Sequence, residues 1–119
     1  MKKITVCIAD MDVGYRASLR KTLESSGSVE VVADAGDGLA ALEAVETLHP
    51  QVLLTDTLLP GLKTEGAFIP VDRRMATNLP HVYACGDCTG QPLQIAKAVG
   101  EGNVAAISAS ADLSKGVRA

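Results

Sequence analysis

The chain has 119 residues, a formal net charge of -3 and an apolar content of 47%, with no Trp and one Phe. This length and composition predict a globular protein with an aliphatic core, and they argue against a disordered chain. The negative charge argues against nucleic acid and anionic membranes as partners. No apolar run reaches the length of a membrane span and no signal peptide is recognisable, so a cytoplasmic location is predicted.

The first 56 residues alternate between short apolar runs and amphipathic stretches. Buried strands are predicted at Ile4–Ala9, Val29–Ala33 and Val52–Thr55. Helices are predicted between them, at Val13–Ser26 and Asp37–Leu48. This order predicts an α/β fold in three layers, with a doubly wound parallel sheet.

The spacing of apolar residues predicts which side of each helix is buried. In the first helix the predicted buried residues are Tyr15, Leu19 and Leu23. In the second helix they are Leu39, Leu42, Val45 and Leu48.

The pattern changes after Pro60-Gly61, where no helical stripe follows within a few residues. Residues 67–71 are predicted as an edge strand or loop, because Pro70 cannot donate to a ladder. A fourth strand is predicted at His81–Cys85 and a long helix at Gln91–Asp112.

The predicted sheet-facing side of the long helix is Leu93, Ala96, Gly100, Asn103, Val104 and Ile107. Its small residues would let the helix lie close to the sheet, which offsets the cost of glycine in a helix. With Val82–Cys85 as strand 4, the predicted strand order is 2-1-3-4.

Three stretches in the first half have a recognisable order and spacing: VCIAD, EVVADAGDGLAALEAVETLHPQVLLTD and TDTLLPGL. Through them, residues 1–62 resemble a response-regulator receiver domain, which has a flavodoxin-like fold. The resemblance implies that Asp56 is a phosphoacceptor and that Asp10 is the first of two acidic residues at a Mg²⁺ site. The second acid falls on Met11, which cannot ligate Mg²⁺, and Asp12 is displaced by one position.

The family's fourth-strand Thr/Ser and fifth-strand Lys have no counterpart here, so the resemblance implies that any phosphorylation would lack its output response. The alternative is that Asp10, Asp12 and Asp56 are solvated strand-end residues of an inherited scaffold.

The second half carries TEGAFIPVDRRMATNLP, VYACGD and QPLQIAKAVGEGNVAAISA. Through these, residues 64–113 resemble the C-terminal FAD-motif segment of bacterial thioredoxin reductase. The resemblance implies that the Gly86-Asp87 pair contacts the ribityl-phosphate region of FAD. It also implies that Gln94 and Ile95 approach the isoalloxazine ring.

FAD also needs a glycine-rich first turn for its pyrophosphate. The first strand here is followed by Asp10, Met11 and Asp12, an acidic turn that would repel pyrophosphate. FAD is therefore not expected, and the expected cofactors are none apart from low-affinity Mg²⁺.

Cys85 and Cys88 form the sequence C-G-D-C at a predicted strand-to-helix turn. Their spacing is that of a redox dithiol, in which a helix N-terminus lowers the thiol pKa. Alternatively, both cysteines are inherited from the flavin-binding motif, and Asp87 between them disfavours a thiolate.

Each of the two resemblances covers about half of the chain, which predicts a chimera. Its receiver-like half is predicted at 1–62 and its flavin-reductase-like half at 63–119. We predict that 1–119 form a single flavodoxin-like or Rossmann-like domain, an engineered scaffold without a complete active site and not an enzyme. The alternatives are a phosphoacceptor module that uses Asp56 and a residual flavin- or nucleotide-binding protein.

Two weaker features emerge from joining the halves. Four carboxylates are predicted at carboxyl ends of strands, where they would form an accidental site for a divalent cation: Asp10, Asp12, Asp56 and Asp87. A sheet edge left exposed by the splice predicts a homodimer.

Overall fold

The structure is a computed structural model that describes residues 2–56 and 60–115. The chain divides into two compact units, which meet in sequence between Thr57 and Leu58. Two statements from the sequence stay predictions: that residues 1–119 form a single domain, and that its two halves join after residue 62.

The first unit holds a parallel sheet in the order β2-β1-β3. Its strands are β1 (Ile4–Ala9), β2 (Val29–Ala35) and β3 (Val52–Thr55), and its helices are α1 (Val13–Ser25) and α2 (Gly38–Leu48). The predicted α/β class is confirmed, and every one of these elements lies within two residues of its predicted bounds.

Two small apolar clusters form the core of the first unit. Val6, Ile8 and Val31 make the first cluster, against which Leu19 and Leu23 of α1 pack. The predicted buried side of α1 is therefore correct for its leucines. It is wrong for Tyr15, whose side chain is 54% exposed.

The second cluster corrects the predicted face of α2. Ala9, Ala35 and Ala41 make this cluster, with Ala40 and Leu53 packed against it. Leu39, Leu42 and Leu48 are exposed instead of buried. The helix packs through alanines because their short side chains let its backbone approach the sheet closely.

The second unit contains one long helix, α3 (Ile95–Ser114), and a 3₁₀ helix at Asp87–Thr89. Within residues 60–115 the structure has no β-strand, only the isolated antiparallel bridges Glu65↔Phe68 and Ala76↔Tyr83. Of the two alternatives predicted for residues 67–71, an edge strand or a loop, the loop is therefore correct.

The predicted order 2-1-3 of the first three strands is confirmed, but the predicted fourth strand at His81–Cys85 is wrong. His81 has a left-handed backbone, with φ of 63°. The backbone groups that follow it bond locally: the Thr77 N–H donates to Val82 O and the Ala84 N–H donates to Met75 O, each at 3.0 Å. These local bonds replace the ladder that a fourth parallel strand would need.

The long helix differs from its prediction in both its start and its face. It begins at Ile95 because Gln94, its N-cap, is extended. Its buried residues are Ala105 and Ser108, whereas Ile107 is 62% exposed and Leu93, ahead of the helix, 52% exposed. No helix in the described part of the chain is both long and apolar enough to cross a membrane.

Candidate functional site

The acidic turn after β1 is held by its own side chains. Asp10 Oδ1 accepts a hydrogen bond from the Asp12 N–H at 2.8 Å. Asp12 Oδ1 accepts one from the Tyr15 N–H at 3.0 Å, so Asp12 is the N-cap of α1. Met11 between them is 81% exposed. One of the predicted acids therefore caps a helix, a role that its sequence position also suits.

Asp56 lies beside this turn. Its backbone N–H donates to Ala9 O at 3.3 Å, which places the end of β3 next to the end of β1. The Asp10 N–H donates to Ala35 O of β2 at 3.1 Å. The structure therefore brings Asp10 and Asp56 to the same carboxyl edge, as the parallel topology requires.

The side chain of Arg16, on α1, also reaches this edge. The Arg16 guanidinium donates from Nη1 to Asp10 O. Its Nε lies 3.6 Å from Asp34 Oδ1, and the side chain is only 14% exposed. Arg20 adds a second ion pair to the same carboxylate, 3.1 Å from Asp34 Oδ2. Arg16 follows Asp10 by six residues and Asp34 lies in β2, so only the folded structure shows that these three residues meet.

Replacing Asp12 with alanine is expected to lower the free energy of unfolding by about 1 kcal/mol, because α1 loses its N-cap. Asp12→Asn should leave it nearly unchanged, since an amide oxygen also accepts the Tyr15 N–H. Urea denaturation followed by circular dichroism measures both. An equal loss in the two variants would show that the charge of Asp12 matters rather than its capping bond.

The four carboxylates of the predicted metal site are divided between the two units. Among residues 2–56 and 60–115, no three or more His, Cys, Asp or Glu side chains form a group suited to a metal ion. Asp87 lies in the second unit, at the start of the 3₁₀ helix. Cation binding by Asp10, Asp12 and Asp56 in solution stays a prediction.

The polar centre of the second unit is built around Gly86. Its N–H donates to Glu101 Oε1 of α3 at 2.9 Å. Its backbone has φ of 94° and ψ of -150°, a conformation that only glycine adopts without strain. A Cβ there would lie 3.8 Å from the Ala98 Cβ, so space is not the constraint. The backbone conformation is what requires glycine at this position.

Lys97 ties this loop to the first turn of α3. Its ammonium donates to Gly86 O at 2.9 Å, to Thr89 Oγ1 at 3.0 Å and to Gly90 O at 2.7 Å. It also lies 3.5 Å from Glu101 Oε2, with both side chains less than a fifth exposed. Sequence reasoning missed this pair, although its i,i+4 spacing was a usable signal.

The Thr89 hydroxyl completes the cluster and affects the charge of Glu101. It lies 2.6 Å from Glu101 Oε1 and donates to it. This bond, the Gly86 N–H and the charge of Lys97 lower the pKa of Glu101 against the opposing effect of burial. Glu101 is therefore held as a carboxylate.

This lowered pKa predicts the direction of an acid effect. A carboxyl whose pKa is lower in the folded state adds stability above its unfolded pKa of about 4.3, and that contribution is lost as the pH falls through the folded value. We expect Glu101→Gln to lower the free energy of unfolding at neutral pH. We also expect that free energy to fall less steeply, as the pH drops, than in the parent chain. Urea denaturation between about pH 6 and about pH 3 measures this.

The exposed Glu65 of the same unit provides the control. In Glu65→Gln the free energy of unfolding should fall with decreasing pH as it does in the parent chain. If the free energy of unfolding of Glu101→Gln falls with pH as steeply as that of the parent chain, the assignment of a lowered pKa to Glu101 is contradicted.

The predicted flavin-contacting residues occupy two neighbouring loop ends. Gly86 precedes the 3₁₀ helix and Asp87 begins it. Gln94 is the N-cap of α3 and Ile95 is its first residue. The bond from Lys97 to Gly86 O brings these ends together. Gln94 makes no side-chain capping bond, and Ile95 is 85% exposed.

The three cysteines are reduced, and two of them are exposed. Cys7 is fully buried in β1, and burial followed by the charge of Asp34 raises the pKa of its thiol. Cys85 and Cys88 are exposed, and the Cys88 thiol donates to Cys85 O with 3.3 Å between Sγ and oxygen. Burial, then the charges of Cys88 and Glu101, raise the pKa of Cys85, contrary to the lowered value expected for a redox thiol beside a helix N-terminus.

Comparison with known proteins gives two separate similarities. Residues 49–102 match the family described as pyridine nucleotide-disulphide oxidoreductase. A dihydrolipoyl dehydrogenase of Vibrio cholerae is 48% identical over 58 residues, which are 48% of this chain and 12% of that protein. The transcriptional regulatory protein NarL of Mycobacterium tuberculosis is 39% identical over 61 residues, which are 51% of this chain and 28% of that protein.

Two solved structures are also similar to this chain. The signal receiver domain of NarL from Mycobacterium tuberculosis is 38% identical, with a TM-score of 0.47, 53% of this chain covered and 51% of that one. A ferredoxin-flavin thioredoxin reductase from Clostridium acetobutylicum is 25% identical, with a TM-score of 0.49, 96% of this chain covered and 51% of that one.

The chain is similar to two different families. One similarity is to response-regulator receivers and the other is to pyridine nucleotide-disulphide oxidoreductases, so both resemblances in the sequence are confirmed and are consistent with a chimera. The oxidoreductase match begins at residue 49, ahead of β3 and of the boundary predicted at residue 62. The chain spans a small part, 12 to 28%, of the two curated relatives named above.

Proposed function

We propose that this chain is an engineered chimeric scaffold without a complete active site and that it is not an enzyme. The observation that carries the proposal is the turn after β1. The residue that matches a receiver's second acid is Met11, and the nearby Asp12 serves as the N-cap of α1. A receiver's Mg²⁺ would thus find one acid of the pair at its expected position instead of two.

The oxidoreductase-like half supports the same conclusion. The N–H and carbonyl of Gly86, in the motif matched to the flavin site, both bind side chains of α3, namely Glu101 and Lys97. A pyrophosphate would need a glycine-rich turn with open N–H groups. In this chain the turn after the first strand is acidic, and the Tyr15 N–H at the start of α1 bonds the Asp12 carboxylate. These residues do not fit FAD.

A phosphodonor experiment tests the scaffold proposal. The chain is incubated with acetyl phosphate and Mg²⁺, and its intact mass is compared with that of Asp56→Asn treated in the same way. We expect no phosphoryl adduct on either. An adduct on the parent chain alone would overturn the scaffold proposal, as would flavin absorbance in the purified protein.

The second candidate is a phosphoacceptor module that uses Asp56. It is favoured by the bond from the Asp56 N–H to Ala9 O, which places this residue at the edge that also holds Asp10. Met11→Asp restores the second acid at an exposed position, where a substitution costs little stability. If phosphorylation fails for lack of that acid, the Met11→Asp variant should gain a Mg²⁺-dependent adduct, and adding Asp56→Asn should remove it.

The proposed partners follow from charge and topology. The net charge of -3 supports the proposal that nucleic acid is not a partner. β3 is an edge strand, with Leu54 38% exposed, so we propose a homodimer through this edge. Light scattering after size exclusion measures the dimer. A cytoplasmic location stays a prediction.

A further inference from the structure

Cys85 and Cys88 lie side by side on one bend of the second unit. The chain bends at Gly86, and the 3₁₀ helix that starts at Asp87 contains Cys88. This bend places the Cys88 Sγ 3.3 Å from the carbonyl oxygen of Cys85. Both side chains are exposed, so a small molecule can reach either sulfur.

The backbone around the two cysteines is fixed at separate points. The Ile69 N–H donates to Cys88 O at 2.7 Å, and Ile69 is buried. The Gly86 N–H, next to Cys85, donates to Glu101 Oε1 at 2.9 Å. A disulfide requires Cα atoms about 4.4 to 6.8 Å apart, a separation that cysteines three residues apart on one bend can reach without a large movement of the backbone. The third cysteine, Cys7, is buried in β1, so the exposed thiol available to each of these two cysteines is the other.

We propose that Cys85 and Cys88 form a reversible dithiol–disulfide pair that exchanges with small-molecule disulfides. In the first step the Cys88 thiolate attacks one sulfur of the small disulfide, which forms a mixed disulfide and releases one thiol. In the second step the Cys85 thiolate attacks the Cys88 sulfur and releases the second thiol. The pair loses two electrons and two protons, and the small disulfide gains both.

The order of attack follows from the surroundings of Cys85. Burial and the neighbouring charges of Cys88 and Glu101 raise the pKa of the Cys85 thiol, which makes its thiolate scarce at neutral pH. Cys88 is therefore the first nucleophile, and Cys85 resolves the mixed disulfide because it attacks within the same bend at high effective concentration. A disulfide is strongly oxidising when the reduced dithiol is stabilised as a thiolate. Since the raised pKa of Cys85 removes that stabilisation, the disulfide of this pair is expected to be weakly oxidising.

The experiment uses the whole chain and oxidised glutathione as the probe. The reduced protein is treated at about pH 8, denatured and alkylated without a reductant, and its intact mass is measured. We expect the number of alkyl groups to fall from three to one, the remaining one on Cys7, with the loss of two hydrogens. A peptide map should place the link between Cys85 and Cys88, and dithiothreitol should restore three alkyl groups.

Two variants test the assignment of roles, and circular dichroism confirms that each is folded. Cys85→Ser should trap one glutathione on Cys88, while Cys88→Ser should acquire glutathione more slowly. The proposal is overturned if the parent chain keeps two alkylated thiols at positions 85 and 88 or retains bound glutathione. A disulfide between two chains would overturn it as well. None of these outcomes depends on whether Asp56 accepts phosphate.

Discussion

Replacing Ile8 with alanine is expected to lower the free energy of unfolding of the first unit by about 3 to 4 kcal/mol. Ile8 lies in the central strand β1 and is 1% exposed, in one cluster with Val6 and Val31. Alanine leaves a cavity between the sheet and α1, and the clusters of this unit are too small to close it. Urea denaturation measures the loss, and hydrogen exchange of the β1 amides assigns it to this unit.

Ile4 provides the matched control, because it lies on the same strand and is 40% exposed. Ile4→Ala should cost about 1 kcal/mol, since much of its side chain already contacts water. Equal losses in the two variants would contradict the assignment of Ile8 to the core.

Replacing Lys97 with methionine is expected to destabilise the second unit by about 2 kcal/mol. Methionine keeps the length of the side chain but removes three hydrogen bonds, to Gly86 O, Thr89 Oγ1 and Gly90 O. It also leaves the Glu101 carboxylate, 18% exposed, without its cation. An acceptor that loses its partner costs more than the bond itself contributes, which is the reason for this magnitude.

The control is Lys63→Met, at an exposed lysine of the same unit. Its effect should stay within about 0.5 kcal/mol, as for most surface substitutions. Thermal and urea unfolding, followed by circular dichroism, compare the two variants. A Lys97→Met chain as stable as the Lys63→Met chain would show that the polar cluster around Gly86 does not hold the loop.

In the first unit, sequence patterns predicted the elements but not all of their contacts. β1 and β3 have the predicted bounds because continuous apolar runs between turn residues leave little choice of structure. The leucines of α2 were a misleading signal, since a periodic stripe predicts a buried face only when a partner is present to cover it. Ala41 packs against Ala9 and Ala35 of the sheet instead, because the close approach of the helix to the sheet favours the smaller side chain.

In the second unit, the pattern failed where local hydrogen bonds compete with a sheet. Residues 81–85 are as apolar as a strand, yet Val82 and Ala84 bond to Thr77 and Met75. Strand formation depends on a partner elsewhere in the chain, and no local pattern specifies that partner. The Lys97–Glu101 spacing was visible in the sequence, but its target, the loop at Gly86, was not.

Local sequence is sufficient for the α/β class of the first unit, the bounds of its strands and both family resemblances. These depend on residue periodicity, turn chemistry and motif spacing, all of which act over a few residues. Only the tertiary structure shows that Arg16 reaches Asp10 and Asp34, and that Lys97 and Glu101 bind the loop beside Cys85. Those contacts join residues whose separation in the chain carries no signal, because packing and long-range hydrogen bonds decide which side chains meet.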